Sequence, residues 1–216
     1  FWVLNNFPNL KSVTINDVND DLINVYRVVK ENVQDLIVEL EKLEFEYHLL
    51  VDNLEMKKEY FYDKRSMFNK RGSNEVIQAS LFIFLNKTCF NGLYRVNKKN
   101  EYNVPIGSYK KPMICDRINL IVTSNLLKKV NILNGDYSES YYFIEDNTIF
   151  YFDPPYKPLS KTSSFNAYAK EVFDDKEQIR LKEFCDMLNL KGCKWILSNS
   201  DVKFVEPENN FFDDLF

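Results

Sequence analysis

The sequence predicts an α/β protein with a parallel sheet, interrupted by an insertion of helices and a β-hairpin. Short apolar runs alternate along the chain with longer segments of helical spacing, an order that favours a parallel sheet. One of these runs, residues 149–152, is apolar on both faces and is therefore typical of a buried parallel strand. Pro154 and Pro155 cannot donate to a sheet ladder, so this strand is expected to stop at Asp153.

The remaining elements follow from the same periodicities, taken in chain order. Residues 12–15 indicate a strand that ends near Asp17, and one helix, capped by Asp20 or Asp21, is expected to run on past Leu40. Further helices are predicted over residues 74–87, 115–129 and 176–190, a β-hairpin with a basic tip over residues 93–106, strands over residues 130–133 and 195–198, and a polar loop over residues 158–165.

The charge distribution indicates where a polyanion would bind. The 216 residues carry a net charge of −4, which argues against a protein that coats nucleic acid. Residues 86–117, however, hold seven basic and two acidic side chains, so this segment has a charge of +5 and the rest of the chain −9. A basic segment on an acidic body is typical of a local phosphate-binding surface, and an ordinary solvated loop is the alternative.

The cysteine pattern and the hydropathy of the sequence limit which classes of protein it can belong to. The four cysteines are scattered without a C-x-x-C pair, and the single histidine, His48, cannot complete a zinc site, so no metal is expected. The sequence contains no run of 18 apolar residues and no signal-like start, so neither a membrane nor secretion is supported. We therefore expect a protein of a reducing cytoplasm.

The segment Asp153, Pro154, Pro155, Tyr156 carries the groups that an exocyclic amine of a nucleobase needs in order to act as a nucleophile. The lone pair of such an amine is delocalised into the ring, so both its hydrogens need acceptors, here the Asp153 carboxylate and the Pro154 carbonyl. Stacking on the Tyr156 ring would hold the base flat. The alternative is a strand end followed by an ordinary Pro-Pro turn.

Two further residues are candidates for binding. Asp17 follows a strand and precedes a helix, as does the acidic residue that binds ribose hydroxyls in mononucleotide folds; the alternative is that it caps the turn. Arg95 lies on the hairpin, and its guanidinium suits bidentate contact with a guanine edge. A phosphate contact or a surface charge is the alternative for Arg95.

Four blocks of sequence resemble the Dam-type family of DNA adenine-N6 methyltransferases (D12 class), which includes GATC-modifying enzymes of restriction systems. They are I-N-D-V-N-D-D-L-I at 15–23, F-L-N-K-T-C-F-N-G-L-Y-R-V-N with E-Y-N-V-P-I-G-S-Y-K at 84–97 and 101–110, G-D-Y at 135–137, and Y-F-D-P-P-Y-K-P-L-S-K-T-S-S-F at 151–165. L-S-N-S at 197–200 fits the strand that follows. The blocks keep the family's order along essentially the whole chain.

The resemblance implies the Rossmann-like sheet of S-adenosylmethionine-dependent methyltransferases, formed by residues 1–52 and 118–216, with a DNA target-recognition domain inserted at residues 53–117. It implies a catalytic motif of Asp153, Pro154, Pro155 and Tyr156, and cofactor contacts from Asp17, Asp136, Tyr137 and Asp153. It implies DNA contacts from Lys87, Phe90, Asn91, Arg95, Asn97, Pro105 and Tyr109, with Phe90 wedged into the duplex. The target adenine would be flipped from the stack and methylated without a metal or a covalent enzyme intermediate.

The resemblance also implies partners and two departures. The expected partners are S-adenosylmethionine, double-stranded DNA in the nucleoid, and a restriction endonuclease that shares the site without necessarily binding. The family's glycine-rich F-x-G-x-G segment is expected before Phe1 and its last strands after Phe216, so this chain is expected to lack both. Ser108 stands where the family commonly has an Arg, which puts one DNA contact in doubt.

Three interpretations of function remain open on the sequence alone. The first is a site-specific DNA adenine methyltransferase, with GATC as the expected site. The second is a methyltransferase of another amine, in RNA or protein, against which the basic hairpin with Arg95 argues. The third is a DNA-binding fragment without catalysis.

Overall fold

The computed structural model describes residues 2–157, 173–200, 203 and 206–216, which fall into two compact units, Phe1–Tyr137 and Ser138–Phe216. The helices and strands of the first unit are α1 Trp2–Asn6, β1 Val13–Asp17, α2 Asp20–Glu31, α3 Val33–Leu49, α4 Leu54–Lys70, α5 Glu75–Thr88, α6 Arg117–Leu127 and β2 Val130–Asn134. Those of the second are β3 Ile149–Phe152, α7 Asp175–Leu190, β4 Lys194–Leu197 and α8 Phe211–Leu215. Short 3-10 turns occupy Phe90–Gly92 and Tyr137–Phe143.

The first unit is built around a parallel strand pair and a layer of helices. Strands β1 and β2 pair from Val13 with Val130 to Asp17 with Asn134, so their carboxyl ends lie side by side. Helix α5 is apolar on most of its surface and packs against α2, α3 and α4. The rings of Tyr47 and Phe84, both fully buried, meet edge to face at 5.4 Å between centroids.

The expectation of one continuous helix past Leu40 is wrong. Asn32 has non-helical dihedral angles (φ −128°, ψ 36°), ends α2 and begins α3. The cap of α2 is also not an aspartate: the Asn19 side chain accepts a hydrogen bond from Leu22 N at 3.1 Å. Asp21 is the second residue of the helix, and its carboxylate binds Arg71.

The second unit contains its own parallel pair, in which Ile149 lies beside Lys194 and Phe152 beside Leu197. Phe152 packs edge to face on Phe184 of α7, with 6.0 Å between ring centroids. Ile149 and Tyr151, which alternate with the packed residues, are about two thirds exposed (67% and 66%). The expectation that this strand is buried on both faces is therefore wrong: one face packs on α7 and the other is open.

The predicted hairpin forms only in part, and the predicted polar loop cannot be compared with the structure. The predicted hairpin at residues 93–106 forms, but as an isolated antiparallel bridge between Val96 and Tyr102 and not as two strands. The polar loop predicted over residues 158–165 lies outside the described residues. No helix of the described part is long and apolar enough to cross a membrane.

Candidate active site and DNA-facing surface

The carboxyl ends of β1 and β2 bring two of the predicted cofactor residues together. Asp17 is the last residue of β1, and its carbonyl accepts a hydrogen bond from Gly135 N at 3.2 Å. Asn16 Nδ2 donates to the Asp136 carbonyl at 2.9 Å, which ties the segment after β2 to the end of β1. Tyr137 follows directly and begins a 3-10 turn. These residues share the sheet edge at which α/β proteins bind their ligands.

The Asp17 carboxylate is half-buried. Its Oδ1 accepts a hydrogen bond from Asn19 N at 2.8 Å. Burial raises the pKa of the Asp17 carboxyl above its usual value, and the Asn19 hydrogen bond offsets part of that rise. A carboxylate in this position gains from a ligand that donates hydrogen bonds, because such bonds restore the solvation that burial removed. Ribose hydroxyls are donors of this kind, so Asp17 fits the ribose of the cofactor.

The predicted catalytic segment lies at the carboxyl end of β3. This strand ends at Phe152, which confirms that the prolines stop it before Asp153. The Tyr156 hydroxyl lies 2.5 Å from Ser198 Oγ, at the end of the neighbouring strand β4. The Tyr156 residue keeps about half of its surface exposed, so its ring can be reached by a planar base.

Two amide side chains hold the backbone on either side of Tyr156. Gln178, a nearly buried residue of α7, donates from Nε2 to the Pro155 carbonyl at 3.2 Å. Asn199 Oδ1 accepts from Lys157 N at 3.0 Å. Gln178 Oε1 in turn accepts a hydrogen bond from Asn199 Nδ2 at 3.1 Å, so the two side chains form one hydrogen-bonded pair that contacts the backbone before and after Tyr156.

No role was predicted for Gln178 or Asn199, although Gln178 falls in the helix predicted over residues 176–190 and Asn199 falls in the segment L-S-N-S at 197–200. The sequence pattern around Gln178 does indicate that its side chain has a hydrogen-bonding partner. It lies on the face of α7 that also carries Leu181, Cys185 and Leu188, all of them buried. A polar side chain on an apolar helix face requires a hydrogen-bonding partner, which here is the Pro155 carbonyl of the predicted catalytic segment.

Three of the residues predicted to contact DNA come together in the loops that follow α5. Phe90 N donates to the Pro105 carbonyl at 2.9 Å, and Cys89 forms an antiparallel bridge with Ile106. Asn91 follows Phe90 in the left-handed region (φ 54°), so the chain turns sharply there. Phe90, Asn91 and Pro105 are all exposed, so they present one continuous surface.

Tyr109 is held close to this surface by a glycine. A Cβ atom at Gly107 would come within 2.6 Å of the Cys89 carbonyl oxygen and 2.8 Å of Tyr109 Cε2. Gly107 N also donates to the Thr88 carbonyl at 2.8 Å. The absence of a side chain at Gly107 therefore lets the Tyr109 ring pack against the Cys89 loop.

The hairpin carries Arg95 and Asn97 in different roles. Arg95 is half-buried, and its Nε donates to Asn103 Oδ1 at 2.7 Å, which fixes the plane of the guanidinium. The Asn97 side chain closes the turn, because its Oδ1 accepts from Lys99 N at 2.8 Å and Glu101 N at 3.0 Å. Exposed lysines lie at the tip and at the end of α5: Lys98, Lys99 and Lys87.

Metal ligands do not cluster in the part of the chain that the structure describes. No group of three or more His, Cys, Asp or Glu side chains there could hold a metal ion.

Comparison with known proteins defines the class. The whole chain, residues 1–216, matches the family described as D12 class N6 adenine-specific DNA methyltransferase. The Type II methyltransferase M.MjaIII of Methanocaldococcus jannaschii is 50% identical over 202 residues, which are 93% of this chain and 69% of that protein. The Type II methyltransferase M1.LlaDCHI of Lactococcus lactis subsp. cremoris is 38% identical over 203 residues, 91% of this chain and 68% of its own length.

A DNA adenine methylase of Haemophilus influenzae is 32% identical over 204 residues, 94% of this chain and 68% of that protein. The chain thus spans about two thirds of the length of each of these three relatives. It belongs to the D12 class of N6 adenine-specific DNA methyltransferases. Membership confirms the methyltransferase fold and the adenine-specific activity inferred from the sequence, and enzymes of this family use S-adenosylmethionine as the methyl donor.

Proposed function

We propose that this DNA adenine-N6 methyltransferase modifies the adenine of GATC, beside a restriction endonuclease that cleaves the same site. The observation that carries the site assignment is the fixed plane of the Arg95 guanidinium, because a planar fork matches the O6 and N7 atoms of guanine. Two relatives are named Type II methyltransferases, which supports a role within a restriction system.

The cofactor contacts belong to the same proposal. Asp17 accepts hydrogen bonds from the ribose, and Asp136 with Tyr137 contacts the adenine of S-adenosylmethionine. The juxtaposition of Asp17 and Asp136 at the ends of paired strands supports this arrangement. S-adenosylmethionine supplies a methyl group bound to a positively charged sulfur.

The catalytic step follows from the acceptors of the Asp153 segment. The Asp153 carboxylate and the Pro154 carbonyl accept the two hydrogens of the target amine, while Tyr156 stacks on the flipped base. The amine nitrogen then has its lone pair directed at the methyl carbon. S-adenosylmethionine would supply the methyl group as an electrophile: a nitrogen–carbon bond would form as the carbon–sulfur bond broke with its electron pair retained by sulfur, and the methylated amine would release one proton to water. The exposed ring of Tyr156 and the two-sided hold on its backbone support this role.

The DNA contacts divide into two kinds. Phe90 wedges into the duplex beside Asn91, Pro105 and Tyr109, while Lys87 contacts phosphate; the target-recognition domain comprises residues 53–117. The common exposed surface of the Phe90 and Pro105 loops supports this assignment. Asn97, whose side chain closes the hairpin turn, contributes to DNA binding through the shape of that turn.

The test is methylation of GATC duplexes against duplexes with one base substituted, at two salt concentrations. Arg95→Ala is expected to cost about 1–3 kcal/mol on GATC and to relax discrimination at the guanine. A protein with both Lys98→Ala and Lys99→Ala serves as the matched control. This double variant should weaken binding to all DNA sequences alike. It should also lower the slope of log affinity against log salt concentration by roughly one unit per lost phosphate contact. Equal losses on every duplex with Arg95→Ala would make Arg95 a backbone contact and would overturn the assignment.

A further inference from the structure

A lysine is buried in the helical layer of the first unit. Lys57 lies on the face of α4 that also carries Phe61 and Phe68, and the residue retains only 4% of its accessible surface. Its Nζ donates to the carbonyl oxygens of Tyr109 at 3.0 Å and Lys110 at 2.5 Å. Nζ also lies 4.4 Å from the centre of the Tyr47 ring. No carboxylate of the described residues lies within ion-pair distance of Lys57.

This arrangement is unfavourable for stability alone. A buried ammonium without a carboxylate loses its hydration, and two carbonyls with one aromatic face replace that hydration only in part. Burial accordingly lowers the pKa of Lys57. A methionine has similar length and would suit the apolar face of α4 beside Phe61. Stability alone therefore does not explain a lysine at position 57, and the explanation is sought in the backbone segment that its ammonium binds.

Lys57 holds the backbone of the segment that carries Tyr109. The ring of Tyr109 packs against Gly107 on the other side, so this residue is fixed both through its carbonyl and through its ring. Tyr109 and Lys110 nevertheless expose their side chains. A buried cation thus orders the backbone beneath two exposed side chains, one aromatic and one basic, beside the Phe90 loop.

We propose that Lys57 is a positioning residue for DNA recognition, which sets the Tyr109 ring and the Lys110 ammonium against the duplex without touching DNA itself. The inference rests on the proposed function, because it assumes that Tyr109 contacts DNA. It adds a residue that belongs to neither the catalytic segment nor the exposed recognition surface.

Independent contacts fasten the rest of the segment, so loss of Lys57 should act locally. Glu44 Oε2 accepts hydrogen bonds from Ile114 N and Cys115 N, both at 2.7 Å. His48 Nε2 lies 3.0 Å from the Pro112 carbonyl oxygen. These contacts to α3 remain when Lys57 is replaced, and the fold is expected to persist.

The experiment compares Lys57→Met with Lys58→Met, the neighbouring lysine on the same helix, whose side chain is 42% exposed and paired with Glu55. Lys57→Met should keep or raise Tm, raise KM for GATC duplex about tenfold, and reduce discrimination against substituted duplexes, because a misplaced contact loses rate and selectivity. KM for S-adenosylmethionine should stay within about twofold, since a contact to DNA contributes nothing to cofactor binding. Lys58→Met should leave Tm and discrimination unchanged.

Hydrogen exchange separates this inference from the proposed function. Amides of residues 109–111 should exchange faster in Lys57→Met, and those of residues 114–115 should not. Tyr109→Ala is assayed in parallel. If Tyr109→Ala leaves DNA kinetics unchanged, the DNA contact proposed for Tyr109 is wrong, whatever Lys57 does. If Tyr109→Ala weakens DNA recognition but Lys57→Met lowers only Tm, with KM and discrimination unchanged, Lys57 is a structural residue and the inference is overturned.

Discussion

At the scale of single residues, Asp17 combines a cost in folding stability with a proposed role in cofactor binding. Burial raises its pKa in the folded protein above the value in the unfolded chain, so the folded state holds the Asp17 proton more tightly. The corresponding stability is fully present at acid pH and is lost as pH rises through the raised pKa. At neutral pH the ionised side chain therefore costs free energy of folding, which hydrogen bonds from a bound ribose would offset.

Asp17→Asn is expected to stabilise the cofactor-free enzyme and to weaken cofactor binding. The amide keeps an oxygen for Asn19 N and removes the charge, so Tm at pH 7 should rise above that of the unsubstituted protein, and the gap should close as pH falls to about 4. The Kd for S-adenosylmethionine should rise roughly tenfold or more. Thermal denaturation across this pH range and calorimetric titration measure the two effects.

The matched control for Asp17 is Asp20→Asn, an exposed carboxylate three residues along the chain. It should leave the affinity for S-adenosylmethionine unchanged, because its side chain lies on the outer surface of α2. Unchanged affinity in Asp17→Asn and in Asp136→Ala together would show that the cofactor binds away from these strand ends.

We expect Gln178 to affect catalysis through the backbone around Tyr156. Gln178→Leu removes the donor to Pro155 and the partner of Asn199, so kcat should fall roughly 10- to 100-fold, as expected for a shift of about 1 Å in a reacting geometry. KM for S-adenosylmethionine should change little. Single-turnover methylation measures the effect, with Asp153→Ala as the inactive reference.

An exposed glutamine provides the control for Gln178. Gln34→Leu, on the outer surface of α3, should leave kcat unchanged. Normal turnover in Gln178→Leu would mean that Asn199, Ser198 and the prolines hold Tyr156 in place without Gln178.

At the scale of elements, Arg71 ties α2, α4 and the hairpin together. It ends α4 in the left-handed region and donates to Asp21 Oδ2 at 2.6 Å, to the Asn100 carbonyl at 3.1 Å and to the Phe68 carbonyl at 3.0 Å. Asp21 is almost buried, and burial raises its pKa although the charge of Arg71 acts in the opposite direction. The ion pair thus joins the helix after β1 to the hairpin tip.

Arg71→Met should lower the free energy of unfolding by about 3 kcal/mol at neutral pH, because it leaves the Asp21 carboxylate buried without a cation. The loss should shrink at acid pH, where Asp21 takes up a proton. Denaturant unfolding of Arg71→Met, Asp21→Asn and the double variant measures the coupling. Strictly additive losses in this cycle would show that the two side chains do not interact energetically.

The elements also show which local features the sequence encodes. Apolar spacing located α5 and α7 to within one residue, and the prolines located the end of β3. The break at Asn32 escaped detection because apolar positions continue in phase across it, at Val29 and Leu36. The predicted hairpin pairs only around one bridge, where Asn97 N donates to the Glu101 carbonyl at 2.9 Å and Asn103 N donates to the Arg95 carbonyl at 3.1 Å. The backbone groups of Tyr102 face away from Val96 and bind the side-chain amide of Asn69 at 2.8 and 3.0 Å, a contact between residues 33 positions apart that the sequence did not predict.

At the scale of the whole molecule, the two units differ in how completely they bury their apolar side chains. Tyr47, Phe61, Phe68 and Phe84 of the first unit are fully buried. In the second unit, the open sheet face leaves Ile196 60% exposed, along with Ile149 and Tyr151 of β3. Burial of apolar surface is the main source of local stability, so the two units should open at different free energies.

Native-state hydrogen exchange should therefore show slower exchange for amides of α3 and α5 than for amides of β3 and β4. The difference should persist across denaturant concentrations well below the unfolding transition. Equal protection of all four elements would show that the chain unfolds as one cooperative unit.

The site divides into a part that sequence predicts and a part that only the fold reveals. Asp17 and Asp153 could be predicted as candidates because Asp17 ends one strand and Asp153 directly follows another, which is a local feature. Lys57 and Tyr109, by contrast, are 52 residues apart, and Gln178 is 23 residues from Pro155. Contacts over such separations leave no periodic signal, so the residues that hold the recognition and catalytic segments in place had to come from the structure.

Single side chains add to the backbone contacts that hold the predicted recognition segments: Asn69 binds Tyr102, Arg65 donates to the Val104 carbonyl at 3.2 Å, and Lys57 binds the Tyr109 carbonyl. A sheet ladder spreads such contacts over several backbone groups, and no one substitution removes it. Here a single substitution can remove one of these side-chain contacts and leave the others in place. Sequence preference can therefore drift between lineages by small steps that leave the core intact, and a library randomised at Lys57, Arg65 and Asn69 should yield folded enzymes with graded changes of target site.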